Sequence, residues 1–541
     1  MYNMKTVRKA NLVLMFLVLT FIIGCKGKSE TNQNVDELII ENYSEEDLYR
    51  PNFHFTPKKA WMNDPNGMFY YNGYYHLYFQ YHPDSNVWGG PMHWGGHAIS
   101  TDMISWTEQP IAIYPDELGT IFSGSAVVDI SNSSGLGEVS KAIPIVAIYT
   151  SSKKLEGNDN WKQTQSVAFS NDEGKTFTKY ENNPVIDNDK IKDFRDPKVT
   201  WDDDRNKWIM SLAAGDKIMF YESKNLKDWN LLSEFGQGIG GHGGVWECPD
   251  LFKLPVIGTN ESKWVLFVSI NPGGPNGGSA TQYFIGDFDG TTFTMDKQFE
   301  TALNEKHDYW IDFGRDNYAG GVTWSNATRK NGSKLMLGWM SNWDYAQKVP
   351  TETWRSAMTI AREVQLQKNE NGYRLISNPV KELANYRGRK YKKENIVIKD
   401  DTKIIDAESI DLAKTEIQFN ISNLQETKYT FKLSNHNGEE LLFGYDNIKK
   451  EFFINRKNSG NTSFSEKFAN KITLAGRTST NDNLSGTILL DKTSIELFYD
   501  NGETVMTEIF FPNTPYTKLS IESKNQEFIL DNIEVHELNF N

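Results

Sequence analysis

Cysteine, positive charge and helical patterning are all scarce in this 541-residue chain, and each shortage excludes something. Two cysteines, Cys25 and Cys248, stand far apart in unlike contexts, so no disulfide framework is implied. A formal net charge of -14 lacks the basic patch or stripe that a phosphate backbone demands, and no nucleic-acid partner is expected. His93, His97 and His242 lie in glycine-rich segments without ligand spacing, which gives no reason to expect a metal or cofactor. Asn271-Pro272-Gly273-Gly274-Pro275-Asn276-Gly277-Gly278 lacks the Gly-Lys-Ser/Thr ending of a phosphate loop and reads as a rim loop. Cys248 adjoins an acid, but no histidine partner for a thiol nucleophile is signalled.

Long apolar runs are also missing, with one exception. Leu12 to Ile23 follows Lys5, Arg8 and Lys9 and ends at Gly24-Cys25, the pattern of an export signal too short to remain as a membrane span. Ile22-Ile23-Gly24-Cys25 resembles a bacterial lipoprotein cleavage site, which predicts removal of residues 1–24 and lipidation of Cys25. Simple secretion is the alternative. In either case export from a bacterial cell is expected, with membrane contact only through the lipid anchor of the first reading. Residues 25–50, rich in Lys, Ser, Asn, Asp and Glu, read as a tether.

Aromatic residues are plentiful at 13%, with 15 Trp and 24 Tyr, enough to fill a core and leave faces for stacking. From about residue 51 the pattern is short alternating strands broken by Gly, Asn and Asp, and convincing helical periodicity is absent from the first 360 residues. Met68 to Tyr71, Asn72-Gly73, and Tyr74 to Phe79 predict a hairpin. Four polar turns end in an aromatic, Ser100 to Trp106, Ser170 to Phe177, Ser223 to Trp229 and Gly286 to Phe293. Their closing residues lie 71, 52 and 64 apart, close to one four-stranded propeller blade. One further degenerate copy would make an all-β, five-bladed β-propeller over 51–365. Glycine then thins, 366–390 reads as a connector, and 391–541 as a β-sandwich.

Three segments embed acids beside proline or glycine: Trp61-Met62-Asn63-Asp64-Pro65-Asn66-Gly67, Phe194-Arg195-Asp196-Pro197 and Trp246-Glu247-Cys248-Pro249-Asp250. Each carboxylate should sit on a constrained bend, and in a propeller such segments converge on the central axis. In this order, with Tyr75 to Tyr81, Ile121 to Ser125, Gln165 to Ser170, Gly338 to Trp343 and Trp354-Arg355-Ser356, they resemble glycoside hydrolase family 32, the fructan-hydrolysing glycosidases. The resemblance runs from about Asn52 to Glu537.

The resemblance implies a retaining double displacement at a fructosyl carbon, with Asp64 as nucleophile, Glu247 as acid/base and Asp196 as stabiliser of the transition state. Trp246 and Cys248 would give Glu247 an apolar setting. It also implies sugar contacts from Asn63, Gln80, Trp88, Phe122, Ser123, Arg195, Cys248 and Trp343. Trp88 to Trp94 and Trp246 to Phe252 look like the levanase and exo-inulinase type, so the expected reaction releases terminal fructose from levan, inulin or sucrose. Endo action, fructosyl transfer, and a fructan-binding protein without turnover are the alternatives. Doubled glycines at Gly89-Gly90, Gly95-Gly96 and Gly320-Gly321, and Asn317 where an aromatic is common, depart from the family pattern.

Overall fold

Five mainly antiparallel sheets follow one another along the first two thirds of the chain, and each begins on a largely buried strand; Trp354–Arg355 adds a parallel edge to the first. These first strands, Ala60–Tyr71, Thr120–Val128, Phe194–Asp202, Val245–Pro255 and Tyr318–Thr323, touch one another in cyclic order and enclose the axis of a five-bladed propeller. The computed structural model describes residues 43–138, 143–157, 160–370, 372–406 and 410–540. The expected export signal, Cys25 and most of the expected tether lie outside the described residues.

The expected hairpin is present, with Tyr71 opposite Tyr74 across Asn72 and Gly73 at φ +50° and +90°. Two left-handed central residues match the twist of the flanking strands, which is why Asn-Gly stands there. The polar turns precede the outermost strands of four blades, and their side chains explain the repeat. Asp102 accepts from the amides of Ile104 and Ser105, Asn225 from Lys227 and Asp228, and Asp289 from Thr291 and Thr292. Each carboxylate or amide stands in for backbone partners within the turn. The fifth blade makes its corresponding turn between Arg362–Asn369 and Gly372–Pro379, running into Tyr373.

The domain limits differ from the sequence reading. The Gly372–Pro379 strand completes the fifth blade, so the propeller extends past 365, and the connector shrinks to a 3-10 turn at Lys381–Tyr386. Residues 45–49, read as tether, form a helical turn with a Ser44–Asp47 capping box. Tyr49 of that turn packs edge-on against Phe511 of the second domain at 5.4 Å. A second helix, Lys297–Glu305, also escaped the sequence reading; Asp296 caps it, and Phe299 and Leu303, one turn apart, bury its inner face.

The second domain is a ten-stranded sheet folded over into a sandwich. Its strands include Lys428–Ser434, Glu440–Asp446, Glu451–Asn458, Ser494–Tyr499 and Thr504–Ile509. The long Lys518–Leu538 strand joins the two halves, pairing Thr430–Ser434 near its start and Thr415–Asn420 near its end. Aromatic side chains fill the space between, with Phe419 against Phe431 at 4.7 Å and Phe452 stacked on Tyr499 at 4.0 Å.

Buried charges cross from one domain to the other. Arg362 of the fifth blade pairs with Asp312 at 2.9 Å and with Glu496 of the sandwich. Arg456 of the sandwich pairs with Asp316 at 2.6 Å and Glu508 at 2.9 Å. His54 bridges Asp491 at 2.9 Å and Glu496 at 2.7 Å. Such groups tolerate burial only when fully paired, so they fix how the domains meet. The rim loop joins this seam, because Asn276 donates to the carbonyls of Phe313 and Leu474.

Candidate active site

Each inner strand breaks its ladder with a bulge, the first four at the motif segments of the sequence. The breaks fall between Met62 and Pro65, Ile121 and Gly124, Arg195 and Lys198, Glu247 and Asp250, and Tyr318 and Val322. A bulge re-aims side chains, which here brings residues from five strands to one end of the axis. Asp196, Cys248 and Ala319 adopt left-handed φ of +66°, +45° and +47°. Non-glycine residues pay for that conformation, and such strain concentrates at functional sites.

The three acids meet there in different company. Asp64 accepts hydrogen bonds from Ser123 Oγ at 2.8 Å and Asn63 Nδ2 at 3.1 Å, with Cys248 Sγ 3.7 Å away. Asn63 is itself held by the indole of Trp61 at 2.7 Å. Asp196 accepts from the Cys248 amide at 3.1 Å, and its own amide donates to Thr150 at 3.0 Å. Glu247 receives Arg195 Nη2 at 2.8 Å and Nε at 3.1 Å on one oxygen, and the Tyr318 hydroxyl on the other. Asp250, the remaining acid of these segments, is structural: it pairs with Lys198 at 3.2 Å and accepts from Thr323, joining the third, fourth and fifth blades.

Crowding of carboxylates governs the electrostatics. Burial and the Glu247 charge push Asp64 above the ordinary carboxylate value, while Ser123 and Asn63 pull it back. Burial raises Asp196 to about 7 against the pull of Arg195, with Glu247 and Asp64 adding to the rise. The Tyr318 phenol and Cys248 thiol are also raised, by burial first and by neighbouring carboxylates next, so both remain protonated.

These residues floor a pocket of about 760 Å³ lined by Asn63, Asp64, Gln80, Trp88, Phe122, Ser123, Arg195, Asp196, Glu247 and Trp343. Cys248 lies just beneath, against Asp64 and Asp196. Trp88 stands edge-on to Trp343 at 6.2 Å and tilted on Phe122 at 6.2 Å, making one aromatic wall. Gln80 is buried, and its Nε2 has no hydrogen-bond partner among the described residues. Asn271 of the rim loop reaches the pocket edge. The three histidines pack on aromatic rings, His93 on Tyr114, His97 on Tyr78 and His242 on Trp246.

Two readings need correction. Trp246 does not border Glu247 in space: its buried indole turns into the core, donates to the Gly241 carbonyl and stacks on His242. The setting of Glu247 is a guanidinium and a phenol rather than an apolar wall. Tyr318 was missed altogether, although its signal was in the sequence. Tyr318-Ala319-Gly320 opens the last inner strand as Arg195-Asp196-Pro197 and Glu247-Cys248-Pro249 open the two before it, each with a polar residue, a left-handed one, then Pro or Gly. Asn317 earns its place too, since a Cβ on Gly320 or Gly338 would come within 2.1 Å of its Oδ1.

Comparison with known proteins agrees with this geometry. Residues 54–379 match the glycosyl hydrolases family 32 N-terminal domain, and 382–537 match the family 32 C-terminal domain. A levanase of Bacillus subtilis (strain 168) is 46% identical over 499 residues, covering 92% of this chain and 71% of that protein. An extracellular exo-inulinase of Aspergillus awamori is 38% identical over 496 residues, covering 86% and 90%. The crystal structure of exo-inulinase from Aspergillus awamori superposes with a TM-score of 0.81 at 34% identity, over 92% of this chain and 99% of that one. That of β-fructofuranosidase from Schwanniomyces occidentalis, complexed with fructosyl-erythritol, gives 0.80 at 36%, over 92% and 99%. Matches to both domain families across nearly all the described residues, on a propeller whose axis gathers the acids of the sequence motifs, establish that the chain belongs to glycoside hydrolase family 32.

Proposed function

We propose that this family 32 hydrolase releases terminal fructose from β-fructans by double displacement. One observation carries the reading: Asp64 and Glu247 share a pocket but are held by different partners. Asp64, with two donors on its oxygens, attacks the anomeric carbon of the terminal fructosyl unit. Glu247 protonates the departing oxygen and then takes a proton from the water that frees the sugar. Asp196 holds ring hydroxyls as positive charge develops on the sugar. Arg195 and Tyr318 orient Glu247, and the unpartnered Gln80 amide suits a sugar hydroxyl. The wall of Trp88, Phe122 and Trp343 offers a ring-sized apolar face for the chain end, which favours exo action.

The preceding leader carries export, and Cys25 carries the lipid. This part rests on the sequence pattern, together with a related enzyme described as extracellular.

A time course of products from levan and from inulin, resolved by chain length, tests the reaction. Fructose alone from the earliest points is the expected result, and the faster polymer gives the linkage preference. Early oligosaccharides would overturn exo action. Binding without any product would overturn the hydrolase reading in favour of a fructan-binding protein.

A further inference from the structure

We propose that the pocket wall formed by the third strand of the second blade is a binding site for the departing carbohydrate chain, with the indole of Trp161 as its stacking platform. The inference rests on the reading of the pocket as a fructoside-cleaving site and specifies its leaving-group side.

Trp161 is 46% exposed and lines the same pocket as Asp64 and Glu247. Leu155, on the neighbouring strand end, is exposed and lines the pocket as well, so the indole belongs to an apolar face open at the pocket rather than standing alone on the surface, and a flat ring there can stack on a sugar. Its strand, Trp161–Ser170, sends alternate side chains to one face, so Trp161 and Gln163 point the same way. Gln163 Oε1 accepts from the Phe194 amide at 2.8 Å and from Arg195 Nη1 at 3.4 Å, and Arg195 in turn clasps Glu247. A line of side chains therefore runs outward from Glu247 through Arg195 and Gln163 to Trp161. The leaving oxygen is protonated at the inner end of that line, so the chain it belongs to departs along it.

The wall is braced for the purpose. Lys162, which also lines the pocket, pairs with Asp187 at 2.8 Å and Asp189 at 2.7 Å. Asn188 donates to the carbonyls of Gln163 at 3.2 Å and Ile191 at 2.8 Å. Exposed ion pairs contribute little singly, but these cross-link the strand to the loop that leads to Arg195. Lysines and aspartates along the rim offset one another, which suits a neutral chain. The pocket volume, about 760 Å³, lies in the range that takes a ligand larger than one sugar ring.

The test compares wild type, Trp161→Ala and Trp161→Phe on methyl β-fructofuranoside, whose leaving group has no ring, and on a fructose-ended trisaccharide and longer fructans. The expected result is a roughly tenfold loss of kcat/KM on the chains for Trp161→Ala, carried mainly by KM, with the methyl glycoside unchanged and Trp161→Phe recovering most of the loss. No loss on the chains, or an equal loss on both kinds of substrate, would overturn the platform. Wild-type protein that cleaves none of these substrates would overturn the underlying reading of the pocket instead.

Discussion

Arg195 clasps one oxygen of Glu247 through two nitrogens, Nε at 3.1 Å and Nη2 at 2.8 Å, from the neighbouring inner strand. A planar fork does this and an ammonium does not. Arg195→Lys should keep the charge but lose the orientation, lowering kcat by roughly tenfold or more with a smaller effect on KM. Tyr318→Phe should act in the same direction. Steady-state kinetics on one fructoside checks both, and unchanged kcat would remove these residues from the positioning of Glu247.

Asp64→Asn should abolish turnover, by on the order of 10⁴-fold or more, while circular dichroism and fructose binding remain near wild type. Glu247→Gln should lose roughly 10²–10⁴-fold on natural fructans and be partly spared in the first step for a fructoside with an activated leaving group. Equal impairment on both substrates would count against an acid/base role.

The acids crowd one another, which has a consequence for stability. Asp196 is raised in the folded protein from 3.8 to about 7, burial being the first cause. A raised carboxyl contributes stability that is fully present below its unfolded value and is lost as pH rises through about 7. Asn at this position carries no such penalty. Asp196→Asn should therefore melt higher relative to wild type at pH 8 than at pH 5, although it loses activity, and calorimetry at the two pH values checks the difference.

His54 has the opposite charge type and the same sign of linkage. Burial alone would lower it, yet Asp491 and Glu496 hold it up to about 9 from 6.5. Its contribution is complete below 6.5 and is lost as pH rises through about 9. His54→Gln should cost about 3–5 kcal/mol near pH 6, by stranding buried carboxylates, and less near pH 10. Denaturant midpoints across that range measure it.

Cys25→Ala should move the protein from the membrane fraction to the soluble exported fraction without changing its specific activity. Retention at the membrane would refute the lipid anchor.

Much of this was legible because local chemistry repeats. The Asx turns of Asp102, Asn225 and Asp289 are dictated by neighbours in the chain, so their spacing announced the blades. Acids beside proline announced the bends at the axis. The placement of Trp246 was not legible, since alternation along a strand says that two residues face apart but not which side is the core. Blade five was hard to delimit because its outer turn keeps only the closing Tyr373 of the pattern. The helix at Lys297–Glu305 is two turns long, too short for its period to rise above the surrounding strands.

The ion pairs at the domain seam make the sandwich more than an appendage. Asp312 and Asp316, held by Arg362 and Arg456, lie in the stretch that leads directly into Tyr318. A fragment ending after Pro379 would leave Arg362 with Asp312 but without Glu496, and Asp316 without Arg456. The two halves of this protein are therefore a single inheritance unit: a recombined enzyme that takes its propeller from one parent and its sandwich from another keeps an aligned active site only if the charges on both sides of the seam travel together.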